Sequence, residues 1–204
     1  MAALTFPTAI YAQAAEFYLE GRSQVFRSPL SGSEQVAQLA GARWVASLTF
    51  SRWKSTEDEI NELEAFLHRM QGASTLFNLW NHRRTNPRGT VSGTGLINGA
   101  GQSGTTLITD NWALSQPVLF KAGDMFAVNN ELKQAVVDVA SDGGGNASLT
   151  FVPPLRASPA NNAVITVTQA TGEFRLASDS AARARHTGPN TDIVISAVES
   201  FAGN

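Results

Sequence analysis

The chain contains no cysteine, only three histidines and two tyrosines, and charged residues make up just 16% of its length. Without cysteine there can be no disulfide, no thiolate nucleophile and no cysteine-based metal site, and the composition suits assembly in a reducing compartment. Fifteen basic side chains face seventeen acidic ones, for a formal charge of −2. So near a balance supplies no field to steer the protein onto nucleic acid or an anionic membrane. No apolar stretch approaches the roughly 18–20 residues that span a bilayer, so membrane insertion is not expected. The segment MAALTFPTAIYAQAAEFYLEG has neither a basic start nor a long apolar run, so a signal peptide is not expected either.

Recognisable catalytic patterns are also missing. There is no H-x-x-x-H, no H-E-x-x-H and no G-x-S-x-G, and His68, His82 and His186 are scattered. Acidic residues gather mainly at a helix start, where capping accounts for them, and Asp110, Asp124, Asp138 and Asp142 read as strand-end or turn residues. The DGGGN stretch at 142–146 has too few oxygen ligands for an EF-hand. No enzyme activity, metal or cofactor is expected.

One stretch does imitate a nucleotide site. GAGQSGTT at 99–106 contains G-x-G-x-x-G at Gly99, Gly101 and Gly104, and nearly matches a P-loop with Thr105 in place of the lysine. A dinucleotide loop must open a helix whose free N–H groups meet the phosphates. Here TTLITD follows, which is short and rich in β-branched residues. The expectation is a β-hairpin: VSGTGLI runs out, NGAGQSG turns at Asn98-Gly99, and TTLITD returns.

A single helix stands out. In STEDEINELEAFLHRMQGAS, from Ser55, Thr56 and Glu59 form a capping box, and Glu57, Asp58 and Glu59 complement the positive helix end. Ile60, Leu63, Phe66, Leu67 and Met70 make one apolar stripe, and Gly72 supplies a left-handed end. His68 falls on the opposite, solvent side. Strands surround this helix. Residues 42–50 alternate, with Ala42, Trp44, Ala46, Leu48 and Phe50 on one face. Residues 74–81 form a short aromatic strand, and 192–201 alternate again, with Ile193, Ile195 and Ala197 on one side. EFYLEGRSQVF reads as two short strands around Gly21, although the alanines at 12–15 leave helix open there.

From Pro87 to about Thr168 the composition shifts to glycine, threonine, serine and asparagine. DMFAV, AVVDVA, ASLTFV and AVITVTQ are candidate strands, separated by turn signals at Asn129-Asn130, 142–146, Pro153-Pro154 and Asn161-Asn162. The expected fold is mainly β with one α-helix. An outer domain (1–86 and 170–204) carries an inserted all-β module (87–169), a small antiparallel barrel or sandwich.

Charge offers one sharper reading. Glu57, Asp58, Glu59 and Glu62 form an acidic patch, and Arg83, Arg84, Arg183 and Arg185 form basic ones. Complementary patches on identical chains make head-to-tail contacts, which can close into rings. These eight residues are the candidate subunit interface, with strands 42–50 and 74–81, the helix and the C-terminal strand carrying the contacts. The simpler reading of the arginines is a solvated loop. Trp112, flanked by small polar residues, is a candidate glycan or partner contact, and a carbohydrate- or host-surface-binding β module is the alternative function.

Several phrases together are similar to a known family. SQVFRSPLSGSEQVAQLAGARWVASLTF, ASTLFNLWNHRRTNPRGT, GLINGAGQSGTTLITDNW, LFKAGDMFAV, GNASLTFVPPLRASPANN and FRLA resemble the distal tail proteins of long-tailed bacteriophages, over about residues 17–177. The resemblance implies a β-sandwich belt domain with an inserted small antiparallel β-barrel, OB-like or galectin-like, and a homohexameric ring in the virion, at the tail tip, assembled in the host cytoplasm. Its partners would be the tail tube protein, the tail-tip hub protein and other tip or receptor-binding proteins. DNA would pass through the lumen without sequence-specific binding. The family's role is structural, so no catalytic residue is carried over.

Overall fold

The computed structural model describes residues 3–8, 10–53, 57–187 and 190–200. In chain order the elements are β1 (Leu4–Thr5), β2 (Ala14–Arg27), β3 (Glu34–Trp53), α1 (Glu57–Met70), a 3-10 turn (Gly72–Ser74), β4 (Phe77–Trp80), β5 (Gly93–Ile97) and β6 (Thr106–Trp112). They continue with β7 (Met125–Val128), β8 (Glu131–Ala135), β9 (Ala147–Val152), β10 (Thr171–Leu176), β11 (Ala182–Thr187) and β12 (Asn190–Glu199). The fold is mainly β with one α-helix, as the sequence predicts.

Two sheets divide these strands. A seven-stranded sheet runs β1-β4-β10-β12-β3-β2, with β11 also on β12. A curled five-stranded antiparallel sheet runs β5-β6-β9-β8-β7. The first takes strands from both ends of the chain, and the second only from the middle.

Alternation sets the large sheet's buried face. Trp44, Ala46, Leu48 and Phe50 of β3 are buried, as are Ile193, Ile195 and Ala197 of β12. The stripe of α1 covers them: Ile60, Leu63, Phe66 and Met70 join the same core as Phe6, Phe77 and Phe174. Fully burying side chains of this size is worth about 1.5–3 kcal/mol each, which is what holds a lone helix on a sheet. The helix ends through two left-handed residues, Gln71 at φ 49° and Gly72 at φ 81°. Asp179 then accepts the Ala73 N–H at 3.0 Å, fastening that end to the turn after β10. The proposed N-cap, Thr56, lies outside the described residues.

β2 corrects the expectation of two short strands or a helix. It is one 14-residue strand, and the irregularity near Gly21 is a register shift between Glu20 and Arg22, with Gly41 opposite at φ 110°. β3 is 20 residues long, yet it meets β12 only from Val45 onward. The rest of the β2–β3 hairpin therefore extends beyond the sheet as a two-stranded arm on the order of 30 Å long. Its tip closes through Ser28–Ser33 backbone bonds and Gly32 at φ 68°. Leu30 at the tip is 98% exposed, and Val25, Phe26, Val36 and Leu39 along the arm are all exposed.

In the middle of the chain, Asn129 and Asn130 both take positive φ and join β7 to β8 as a tight hairpin. Two of the expected strands need correction. AVVDVA begins where β8 ends, and the strand is ELKQA instead. AVITVTQ is not a strand of the sheet. It makes single bridges, Leu96↔Val164 to β5 and Ala127↔Thr166 to β7, and so ties together the two edge strands of the curled sheet.

Candidate subunit interface and module junction

The two sheets meet at a buried polar network with apolar packing around it. Trp44 of β3 donates its indole N–H to Leu132 O at 2.9 Å, and its backbone N–H to Glu199 Oε2 at 3.0 Å. That same oxygen accepts Arg156 Nη2 at 2.6 Å, and Arg156 also reaches Ala42 O. Arg156 belongs to the loop after β9, so one carboxylate of β12 holds both the neighbouring strand β3 and a guanidinium from the inserted segment. On the other side of Arg156, its N–H and that of Ala157 donate to the two oxygens of Glu131. Glu131 pairs with Lys133 Nζ at 2.6 Å, and Lys133 also donates to Pro154 O. Lys133 is completely buried. Loss of hydration lowers its pKa, and the Glu131 carboxylate opposes that shift. Met125, Ala127 and Leu132 of β7 and β8 belong to the same hydrophobic core as α1 and the large sheet. The junction is therefore packed core, with charge pairs fixing its register.

The segment entering the curled sheet is also fastened. Asp124 accepts N–H groups of Gly89 and Lys121 and the Arg88 Nε at 3.1 Å. Burial works to raise the Asp124 pKa, but these donors outweigh it and hold the carboxyl below its ordinary value. Arg84 and Arg88 donate to the carbonyls of Gly123 and Ala122. Beside them, His82 is 8% exposed and lies flat on Trp80, with ring centroids 4.6 Å apart and an interplanar angle of 7°. Its Nδ1 accepts the Ala12 N–H at 3.1 Å, and its pKa is lowered by burial to about 4.

The predicted interface residues fall into separate groups. Asp58 and Glu62 lie exposed on the outer side of α1, and Glu59 is half-buried. The side chain of Glu57 is outside the described residues. Arg83 is exposed. Arg84, as above, grips the 121–124 turn of its own chain. Arg183 and Arg185 do not sit in a loop: they lie on β11, exposed, on the sheet face away from α1. The strands expected to carry subunit contacts also need correction. β4 lies between β1 and β10, and residues 45–49 of β3 lie between β2 and β12, so these stretches are interior to the sheet. The sequence pattern shows that a strand is buried, but not whether it has one neighbour or two.

Trp112 is corrected from an exposed contact to a core residue. It is 4% exposed, donates its indole N–H to Thr109 Oγ1 at 2.7 Å, and packs edge-on against Phe120. Gly95 lies so close to the indole that an added Cβ would stand 1.9 Å from Cζ2. No sugar ring can stack there. The glycine run is the expected hairpin turn between β5 and β6, with Gly99, Gly101 and Gly104 all at positive φ. Gln102 fills the loop, bonding Ile108 through both ends of its amide. Thr106, where a phosphate loop would need a helix, starts a strand.

A shallow cavity of about 250 Å3 lies beside the end of α1, lined by Glu64, Leu67, His68, Asp179, Leu176 and Ala182 among others. Among the described residues, no three His, Asp or Glu side chains converge as metal ligands, and no helix is long and apolar enough to cross a membrane. Compared with known proteins, the chain matches no family model and no curated sequence.

Proposed function

We propose that this protein is a structural ring-forming subunit of a phage tail tip, a hexameric virion component that links the tail tube to the tip hub and leaves a lumen for DNA. The observation that carries this reading is the β2–β3 arm. Its exposed apolar side chains Val25, Phe26, Leu30, Val36 and Leu39 have no cover among the described residues. A two-stranded ribbon of this length is marginal in water, so its natural role is to lie against another subunit. The junction supports the same reading, because interlocked charge pairs and shared core hold the two sheets in one orientation, as a repeating ring unit requires.

The test is particle mass by mass photometry, with negative-stain images of the same sample. The expected result is a closed ring of six copies, alone or on addition of tube and hub proteins. A strictly monomeric chain at high concentration, with those partners present, overturns the proposal.

A further inference from the structure

Among the described residues, three strands of the large sheet hydrogen-bond on one side only: the two-residue β1 and the longer β2 and β11. Among the described residues, β2 pairs with β3 alone, and β11 with β12 alone. Exposed edges of this kind are templates for another strand. Resting on the ring reading above, we propose that β2 of one copy pairs antiparallel with β11 of the next, so that the sheet runs unbroken from subunit to subunit.

Strand direction is the first argument. The neighbours β2, β3, β12 and β11 are antiparallel at every step, so β2 and β11 run in opposite directions. A copy rotated about an axis along the strands keeps its strand directions. Its β11 therefore meets β2 antiparallel, without being turned end over end. Such a contact is heterologous and propagates, as a ring requires.

Charge is the second. Arg183 faces Val194, Val194 faces Thr49, and Thr49 faces Ala14 across the sheet. Arg183, Arg185, Ala14, Glu16 and Tyr18 thus share the face turned away from α1. β11 presents two exposed arginines there, and β2 presents exposed Glu16 and Tyr18. Pairing β11 with a second β11 would gather four arginines, whereas pairing it with β2 brings cation to anion and to an aromatic face. Closed barrels require staggered strands, and an even shift keeps each side chain on its own face. A four-residue stagger sets Arg185 beside Glu16 and Arg183 beside Tyr18, giving both arginines a partner. The register shift at Gly21 marks where the arm can leave the sheet plane and pass onto the neighbour.

The chain has no cysteine, so engineered cysteines report without background. The double variant Glu16→Cys/Arg185→Cys, oxidised after assembly, is expected to give a ladder of covalent multimers on a non-reducing gel. Each single variant stays a monomer. A parent that forms rings while the double variant gives no ladder overturns the pairing and leaves the ring reading standing. So does covalent dimerisation of Glu16→Cys alone, which would show β2 meeting β2. A charge swap keeps the question open to a second measurement: Glu16→Arg and Arg185→Glu should each raise the protein concentration needed for assembly by about fivefold, and the combined variant should restore it. Losses that simply accumulate in the combined variant overturn the pairing. A parent that never assembles removes the ring reading itself.

Discussion

His82 sits in a dry aromatic setting, stacked on Trp80 and edge-on to Phe6 and Phe50. Its one acceptor nitrogen already holds the Ala12 N–H, so the folded protein favours the neutral ring. With the folded pKa near 4 and the ordinary value 6.5, the unfolded chain binds the proton first as pH falls. This contribution is complete above about pH 6.5 and is lost progressively toward pH 4. Thermal melts of the parent should therefore decline over that window. His82→Gln should melt lower at pH 7.5 but decline less steeply, and parallel slopes would show that His82 does not set the acid response. Gly95 makes a second residue-scale case. Because a Cβ there would overlap the Trp112 indole, Gly95→Ala should destabilise the curled sheet by about 2 kcal/mol or more, as overpacking does. Urea unfolding gives the loss, and a changed tryptophan emission at zero denaturant would locate it at Trp112.

Among the elements, β8 shows where local pattern stops being informative. β3, α1 and β12 are legible in the sequence because each has one wet and one dry face, so period 2 or 3.6 appears directly in the residues. ELKQA reads as a polar connector, yet Glu131 and Lys133 are both buried. What makes that tolerable is a partner two residues along, two backbone N–H groups from 156–157 and the Pro154 carbonyl, none of which is visible at short range. β11 was hidden for a similar reason: ARARHT offers only two alanines on its inner face and becomes a strand through six register pairs with β12. AVITVTQ erred in the other direction, its alternation serving to bridge two strands instead of forming one. Since Lys133 answers a buried carboxylate, Lys133→Met should cost about 3 kcal/mol by leaving Glu131 without its cation. The check is the urea midpoint. A neutral substitution would mean that the backbone N–H groups of Arg156 and Ala157 suffice for Glu131.

For the whole molecule, the question is whether the arm belongs to the fold or to the assembly. Beyond Gly21 and Gly41 the two strands contact only each other in the pairing scheme, and their apolar side chains stay in water. Folding gains little from them, while the chain pays the entropy of ordering them. Replacing residues 23–38 by Asn-Gly, a dipeptide suited to joining Arg22 and Leu39 through a two-residue turn, should therefore leave the melting temperature within about 3 °C of the parent. The same truncation should abolish the ring in mass photometry. A truncated chain that melts far lower would assign the arm to the monomer's own stability. One that melts normally and still assembles would leave subunit contact to the β2 and β11 edges alone. Melting and assembly thus separate two roles that a static hairpin presents together, and the exposed apolar side chains on both faces of the arm favour assembly.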